Sequence, residues 1–370
     1  MKHILANLNF LLIVPIVSLV LFSCSEEILP SQDGKETAII YATLDAKDSI
    51  HYVKITKAFF GGGNSEELAL IPDSSYFDKV DATVKEYIGG SLTRTFTLQD
   101  TIIPNKESGA FYGPEQKVYY FTTTSSAPLN SSGAVYKLEV KINGGEFVVT
   151  GQTTLVGGMT ISKPSDFQEY KFDKNLTTGV FSQTSLTINS GTAKKVEVKL
   201  YLEFDEYVDA AIKYSKSVEW RVSNVDADEL INDNMTLNSY AEGETFYTLI
   251  KDNVTNDPQI NKRQFKGIKM LINGASSDFQ KYLSVNKPSS SLAQNKPSYT
   301  NLTASNGHRV IGIFASRFHE EKYKVLYIDI STQKCLNENS MRQLCAGEIT
   351  GNLLFCSPIP SDSDEPYFCD

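Results

Sequence analysis

After its first two dozen residues the chain has no long apolar run, no basic cluster and few histidines, and each of these gaps removes a class of function. The 35 Lys and Arg side chains are outnumbered by 44 Asp and Glu, for a net charge of −9. Phosphate backbones require a clustered basic surface, so nucleic acid is not an expected partner. A membrane-crossing helix needs about 20 apolar residues, and without such runs a many-spanning helical membrane protein is excluded. Only four histidines are present, with no His-Glu-x-x-His and no Gly-x-Ser-x-Gly. The zinc-protease helix and the serine-hydrolase elbow therefore have no template. What is present, 41% hydrophobic and 21% charged residues over 370 positions, is the composition of a globular chain. Domains usually hold about 100–200 residues, so two are expected.

The amino end reads as an address. Lys2 and His3 precede a mostly apolar stretch from Ile4 to Phe22, which Leu21-Phe22-Ser23-Cys24 closes. This is the pattern of a secretory signal (residues 1–23) ending in a bacterial lipobox, with Cys24 as the thiolate that accepts a diacylglycerol thioether. Two or more acyl chains anchor a protein stably. Glu26 and Glu27 directly after it are similar to the export signal that sends Bacteroidota lipoproteins to the cell surface, and residues 24–36 read as a lipidated tether. The expected location is the outer membrane, lipid-anchored and facing outward.

From residue 37 the dominant period is two. Tyr136, Leu138, Val140 and Ile142 alternate with Lys137, Glu139 and Lys141, giving a strand with one buried face. Asn143-Gly144-Gly145 breaks the run and Phe147 to Thr150 resumes it, which is a hairpin signal. Val196 to Phe204 and Val218 to Val222 repeat the alternation, and Tyr323 to Ile330 is another β-rich run. Ala38 to Asp45 and His51 to Phe60 form an opening strand pair. With Ala82 to Ile88, Leu92 to Leu98 and Val118 to Thr124, about seven strands precede residue 156, as in a sandwich. Gly157-Gly158 and Ser162 to Ser165 mark a linker. The expected fold is mainly all-β: two β-sandwich-like (immunoglobulin-like) domains at 37–160 and 161–330, then a Cys-containing tail at 331–370. One short helix is expected in the second domain, where Ser277 and Gln280 have capping-box spacing and Phe279, Tyr282 and Leu283 share a face. Residues 284–300 read as a long loop.

Cys335, Cys345, Cys356 and Cys369 all lie in that tail. In an oxidising envelope an even set predicts two disulfides stapling an otherwise loose polar segment, with three connectivities open. No Cys-x-x-Cys pair is present, so zinc is not expected.

Candidate chemistry is thin. His51, His308 and His319 are read as structural or surface residues. The Gly61-Gly62-Gly63 triplet lacks the Lys-Ser/Thr of a phosphate loop. Asn224, Asp226 and Asp228 have calcium-loop spacing, but Glu229 and Met235 replace the required glycine and bidentate glutamate. Asp205, Glu206 and Asp209 are read as a solvated acidic surface. No catalytic residue, metal or cofactor is expected. Aromatics are the one class that points to binding: the chain has 19 tyrosines, whose rings can stack on sugars or form interaction surfaces. Most suit half-buried strands, but Tyr76-Phe77 and Tyr119-Tyr120-Phe121 must send neighbouring rings to opposite faces.

The ordered layout resembles a secreted Bacteroidota family. The strand pair is followed by Val80-Asp81-Ala82-Thr83-Val84, Gly109-Ala110-Phe111-Tyr112, Tyr136-Lys137-Leu138-Glu139-Val140 and Gly151-Gln152-Thr153-Thr154-Leu155. Tyr299-Thr300-Asn301-Leu302 and Gly312-Ile313-Phe314-Ala315 come later. Together these are similar to domain-of-unknown-function family 4249, lipoproteins encoded beside SusC-like TonB-dependent receptors. The four spread cysteines depart from that family's closely spaced pair. The resemblance implies no catalytic residue, but it does imply a partner. The chain is expected to be a non-catalytic accessory of a TonB-dependent nutrient uptake system, with a SusC-like receptor as partner and a glycan or peptide as ligand. The alternatives are a fimbrial or adhesin subunit and, third, a surface glycan or peptide hydrolase.

Overall fold

The computed structural model describes residues 35–58, 67, 69–104, 109, 112–113, 115–209, 211–226, 236–255, 257–286, 298–325 and 335–369. The signal segment, Cys24, the Gly61–Gly63 triplet, Asp228, Glu229, Met235 and the end of the 323–330 run lie outside these residues. Strands make up 53% of the structure and helices 13%, so the fold is mainly β. Among the described residues, no helix is long and apolar enough to cross a membrane.

The first sandwich follows from the period-two pattern. One layer holds β1 (Thr37–Leu44), β2 (Ile50–Lys57), β6 (Gln116–Thr122) and β5 (Gln99–Ile103). The facing layer holds β4 (Ser91–Thr97), β3 (Val80–Ile88), β7 (Val135–Ile142), β8 (Phe147–Thr154) and β15 (Leu302–Ala304). Ala38, Ile40, Ala42 and Leu44 of β1 meet Tyr136, Leu138, Val140 and Ile142 of β7 in one core. Asn143, Gly144 and Gly145 all have positive φ (48°, 75° and 99°), so the hairpin forms where the glycines call for it.

In the second sandwich β9 (Thr160–Lys163), β10 (Gln183–Asn189) and β13 (Thr236–Glu242) form a small sheet. It packs toward β11 (Lys195–Val208), β12 (Ala211–Asp226) and β14 (Lys262–Ala275) through a core that includes Leu186, Ile188, Val198, Leu200, Trp220 and Met270. The stretch expected to be a linker thus contains β9, which pairs with β10. The core does change hands there, with Leu155 in the first cluster and Val156 in the second.

Strand β16 (Arg309–Val325) joins the two halves. Its first half runs parallel to β1, from Thr37 opposite Arg309 to Leu44 opposite Ser316. Its second half runs antiparallel to β14, from Ala275 opposite Arg317 to Gly267 opposite Val325. One sheet therefore continues through both sandwiches in the order β12-β11-β14-β16-β1-β2-β6-β5. Leu302 and Phe314, remote in sequence, complete the first core. Gly312 makes the close pairing possible: its φ is +113°, and a Cβ there would lie 1.9 Å from the Ile40 carbonyl oxygen.

The expectation of one helix is corrected. Besides α1 (Pro72–Ser75), the chain forms α2 (Gly243–Asn253), α3 (Ser277–Val285) and α4 (Glu338–Ala346). Helix α3 is the expected one, but its cap is Ser276, whose hydroxyl accepts from the Phe279 amide at 3.4 Å. Helices α2 and α4 form because their apolar residues reach a core: Phe246, Tyr247 and Ile250 on one, Met341, Leu344 and Cys345 on the other. The C-terminal segment is accordingly not a loose tail. β17 (Phe355–Cys356) pairs with β14, and Leu336, Leu353 and Phe355 belong to the second core.

The two-disulfide expectation is also corrected. Cys356 and Cys369 are bonded, while Cys335 and Cys345 are buried free thiols. Both sit among apolar side chains of the second core, where free cysteine packs as a small hydrophobe, and burial raises both thiol pKa values.

Candidate functional site

The largely apolar hollow of the first sandwich lies on the outer face of β1 and β2. Strand alternation sends Ala38, Ile40 and Ala42 inward and Ile39 and Tyr41 outward. The antiparallel register places Ile39 opposite Thr56 and Tyr41 opposite Lys54, so these four form one patch. Ser75 at the end of α1, the following Tyr76, Tyr112 and Gln116 at the start of β6 close the sides, and Lys57 and Ala58 complete a cavity of about 420 Å³.

The rings that line it are held in place. The Tyr76 hydroxyl accepts from the Lys117 amide at 3.0 Å. The Tyr112 amide donates to the Ala69 carbonyl at 2.8 Å. Helix α3 packs against β16 and brings Tyr282 edge-on to Tyr41, with ring centroids 6.0 Å apart. Burial and the Tyr282 hydroxyl push the Tyr41 pKa up to about 12. Tyr41 therefore stays neutral near pH 7 and offers an apolar ring with a hydroxyl tip. Among the described residues that line the cavity there is no carboxylate.

The tyrosine pairs singled out from sequence divide between core and surface. Phe77 is buried against Phe147 while Tyr76 faces the cavity. Tyr119 and Phe121 point into the first core, and Tyr120 points outward, its hydroxyl donating to Gln99 at 3.2 Å. Tyr41 and Tyr112 were not singled out from sequence. The signal for Tyr41 was its parity, out of phase with Ala38, Ile40 and Ala42 on the same strand.

Of the acidic run at 205–209, Asp209 is exposed as expected, but the solvated reading of Asp205 and Glu206 is corrected. Glu206 is only 1% exposed and Asp205 5%. Glu206 meets Arg263 Nε at 2.8 Å and Lys216 Nζ at 2.7 Å. Arg263, itself buried, also donates to the Leu353 carbonyl at 2.6 Å and the Thr255 carbonyl at 2.9 Å. Asp205 accepts from Ser215 at 2.7 Å and pairs with Lys266 at 3.3 Å. Asp209 turns the chain with φ 53°. The signal was again parity, because Glu206 keeps the phase of Val196 to Phe204. Carboxylates committed to cations in this way act as structure, not as an acid and base pair. Of the calcium-like spacing, Asn224 and Asp226 lie on β12, and Asp226 pairs with Lys195 at 3.0 Å.

The three histidines go to separate places. His51 is buried in β2, stacked on Phe121 with Nε2 3.1 Å from the Thr123 hydroxyl. His308 stacks on Phe147 at 3.9 Å, with Nδ1 3.0 Å from the Glu36 carbonyl oxygen. His319 Nδ1 lies 2.7 Å from Asp45 Oδ2. Asp45, Asp48 and His319 offer ligand atoms within 4.8 Å of one another. Arg317 already occupies that group, 3.1 Å from Asp48 and 3.9 Å from Asp45, and the Lys47 amide donates to Asp45 at 3.0 Å. The cluster ties the β1–β2 turn to β16, where the two sandwiches join.

Comparison with known proteins adds no relative: no protein-family model matches the chain, and no curated protein matches it.

Proposed function

We propose that this chain is a cell-surface lipoprotein of the outer membrane, a non-catalytic binding or accessory component of a TonB-dependent nutrient uptake system. Membership of domain-of-unknown-function family 4249 is part of the same proposal. The observation that carries it is the sequence Leu21-Phe22-Ser23-Cys24 followed by Glu26 and Glu27, ahead of a mainly β body. Two structural features support it. The buried acids Glu86, Glu206 and Asp205 are each bound to cations, which suits a rigid binder better than a hydrolase. The terminal strand β12 carries Lys213, Lys216 and Arg221. Charges on an edge strand discourage addition of another chain, which favours a discrete accessory over a polymerising fimbrial subunit.

Affinity recovery of the tagged native protein from detergent-solubilised outer membrane tests the proposal. Co-recovery of a large β-barrel receptor is expected, and recovery without any barrel protein would overturn it.

A further inference from the structure

The hollow on β1 and β2 has a chemistry of its own, and we infer that it binds the pyranose rings of an oligosaccharide. This rests on the reading of the chain as a binding component and names its ligand class. A pyranose is flat and apolar on its C–H faces and polar around its rim. The lining offers both kinds of surface: the rings of Tyr41, Tyr76 and Tyr112 with Ile39 supply apolar area, and Thr56, Gln116 and Lys54 contribute hydroxyl, amide and ammonium groups.

Size and order agree. About 420 Å³ lies in the range of small-molecule sites, roughly 300–1,000 Å³. Tyr76 and Tyr41 are pre-set by the Lys117 amide and by Tyr282, so little side-chain freedom is lost when a ring stacks. The polar side chains of Lys54, Thr56 and Gln116 in the lining argue against a purely aliphatic ligand. A second described cavity, on the outer face of β3, β7 and β8, lacks this combination: it is lined by Lys85, Lys137, Glu139 and Gln152 with Tyr87.

The test uses the full lipidated chain in detergent. It is screened on an array of neutral and acidic oligosaccharides, and the best binder is then titrated by calorimetry. Tyr41→Ala and Tyr112→Ala are each expected to weaken binding at least about tenfold, while Tyr214→Ala, on the exposed face of β12, leaves it unchanged. Thr56→Arg, which fills the floor without removing a core group, is expected to block binding while preserving the thermal unfolding transition, so a folding defect in the alanine variants does not decide the matter. Absence of binding across the array would overturn the inference, as would binding that survives Thr56→Arg. Co-recovery with a barrel receptor but no saccharide binding would sink this inference alone. Saccharide binding without any barrel partner would sink the uptake proposal alone.

Discussion

Removing the Arg263 guanidinium is expected to cost the second sandwich much of its stability. In Arg263→Met the Glu206 carboxylate, 1% exposed, loses its 2.8 Å partner, and the carbonyls of Leu353 and Thr255 lose their donors. Breaking a buried ion pair from one side costs about 3–5 kcal/mol, because a desolvated charge is left behind. Lys216 remains 2.7 Å from Glu206 and keeps partial solvent access, which places the expected loss near the lower end, about 3 kcal/mol. Replacing both partners, Glu206→Leu with Arg263→Met, removes the stranded charge. It leaves the two carbonyls unsatisfied, at about 1 kcal/mol each, and the Lys216 ammonium, which loses Glu206, is partly exposed and can be solvated, so the double variant is expected to be more stable than the single one. Trp220, the only tryptophan, is packed against Phe172 in this core, and its fluorescence during urea unfolding reports the transition directly. A single variant within about 1 kcal/mol of the parent, or a double variant less stable than the single, would refute the reasoning.

Three further outcomes are expected. Burial alone would raise the Glu86 pKa, but hydrogen bonds from Arg94, Tyr136 and Thr93 and the Arg94 charge hold it down to about 2 from 4.5. The stability this supplies is complete above pH 4.5 and is lost as pH falls through about 2, so acid unfolding followed by circular dichroism should lose that loss of stability in Glu86→Gln and keep it in the parent. Cleaving the Cys356–Cys369 bond, which spans 13 residues, should lower stability by about 2–4 kcal/mol in urea unfolding, and Cys335 and Cys345 should react with a maleimide only after denaturation. Gly312→Ala should destabilise by at least about 1–3 kcal/mol from backbone strain, measured by thermal unfolding, because φ is +113° and Ile40 leaves no room for a Cβ.

How much of this was legible in the sequence depended on whether the deciding contact was local. β7 and β8 could be read from alternation and a glycine turn, since both signals lie within 20 residues. β5, Gln99-Asp100-Thr101-Ile102-Ile103, has no clear alternation and forms because β6 offers an open edge. Within the first half of β16 the stretch Gly312 to Ser316 is buried on both faces, and its parallel partner β1 is about 270 positions away, so neither period nor turn chemistry announces it. Helix α4 lies in a segment whose average polarity hides the Met341, Leu344 and Cys345 stripe that docks it. In the candidate site Tyr76 was visible as half of an aromatic pair. Tyr41 was hidden in a strand that looked like core, and it joins Tyr112 and Gln116 only through tertiary structure. The burial of Glu206, like the outward turn of Tyr41, was carried by parity and masked by composition.

The central claim is that Cys24 anchors this body to the outer membrane. Growth of the native host with an alkyne palmitate, followed by dye coupling and membrane fractionation, tests it directly. A labelled protein in the outer-membrane fraction is expected, with loss of both label and membrane association in Cys24→Ser. An unlabelled parent protein recovered in the soluble fraction would contradict it.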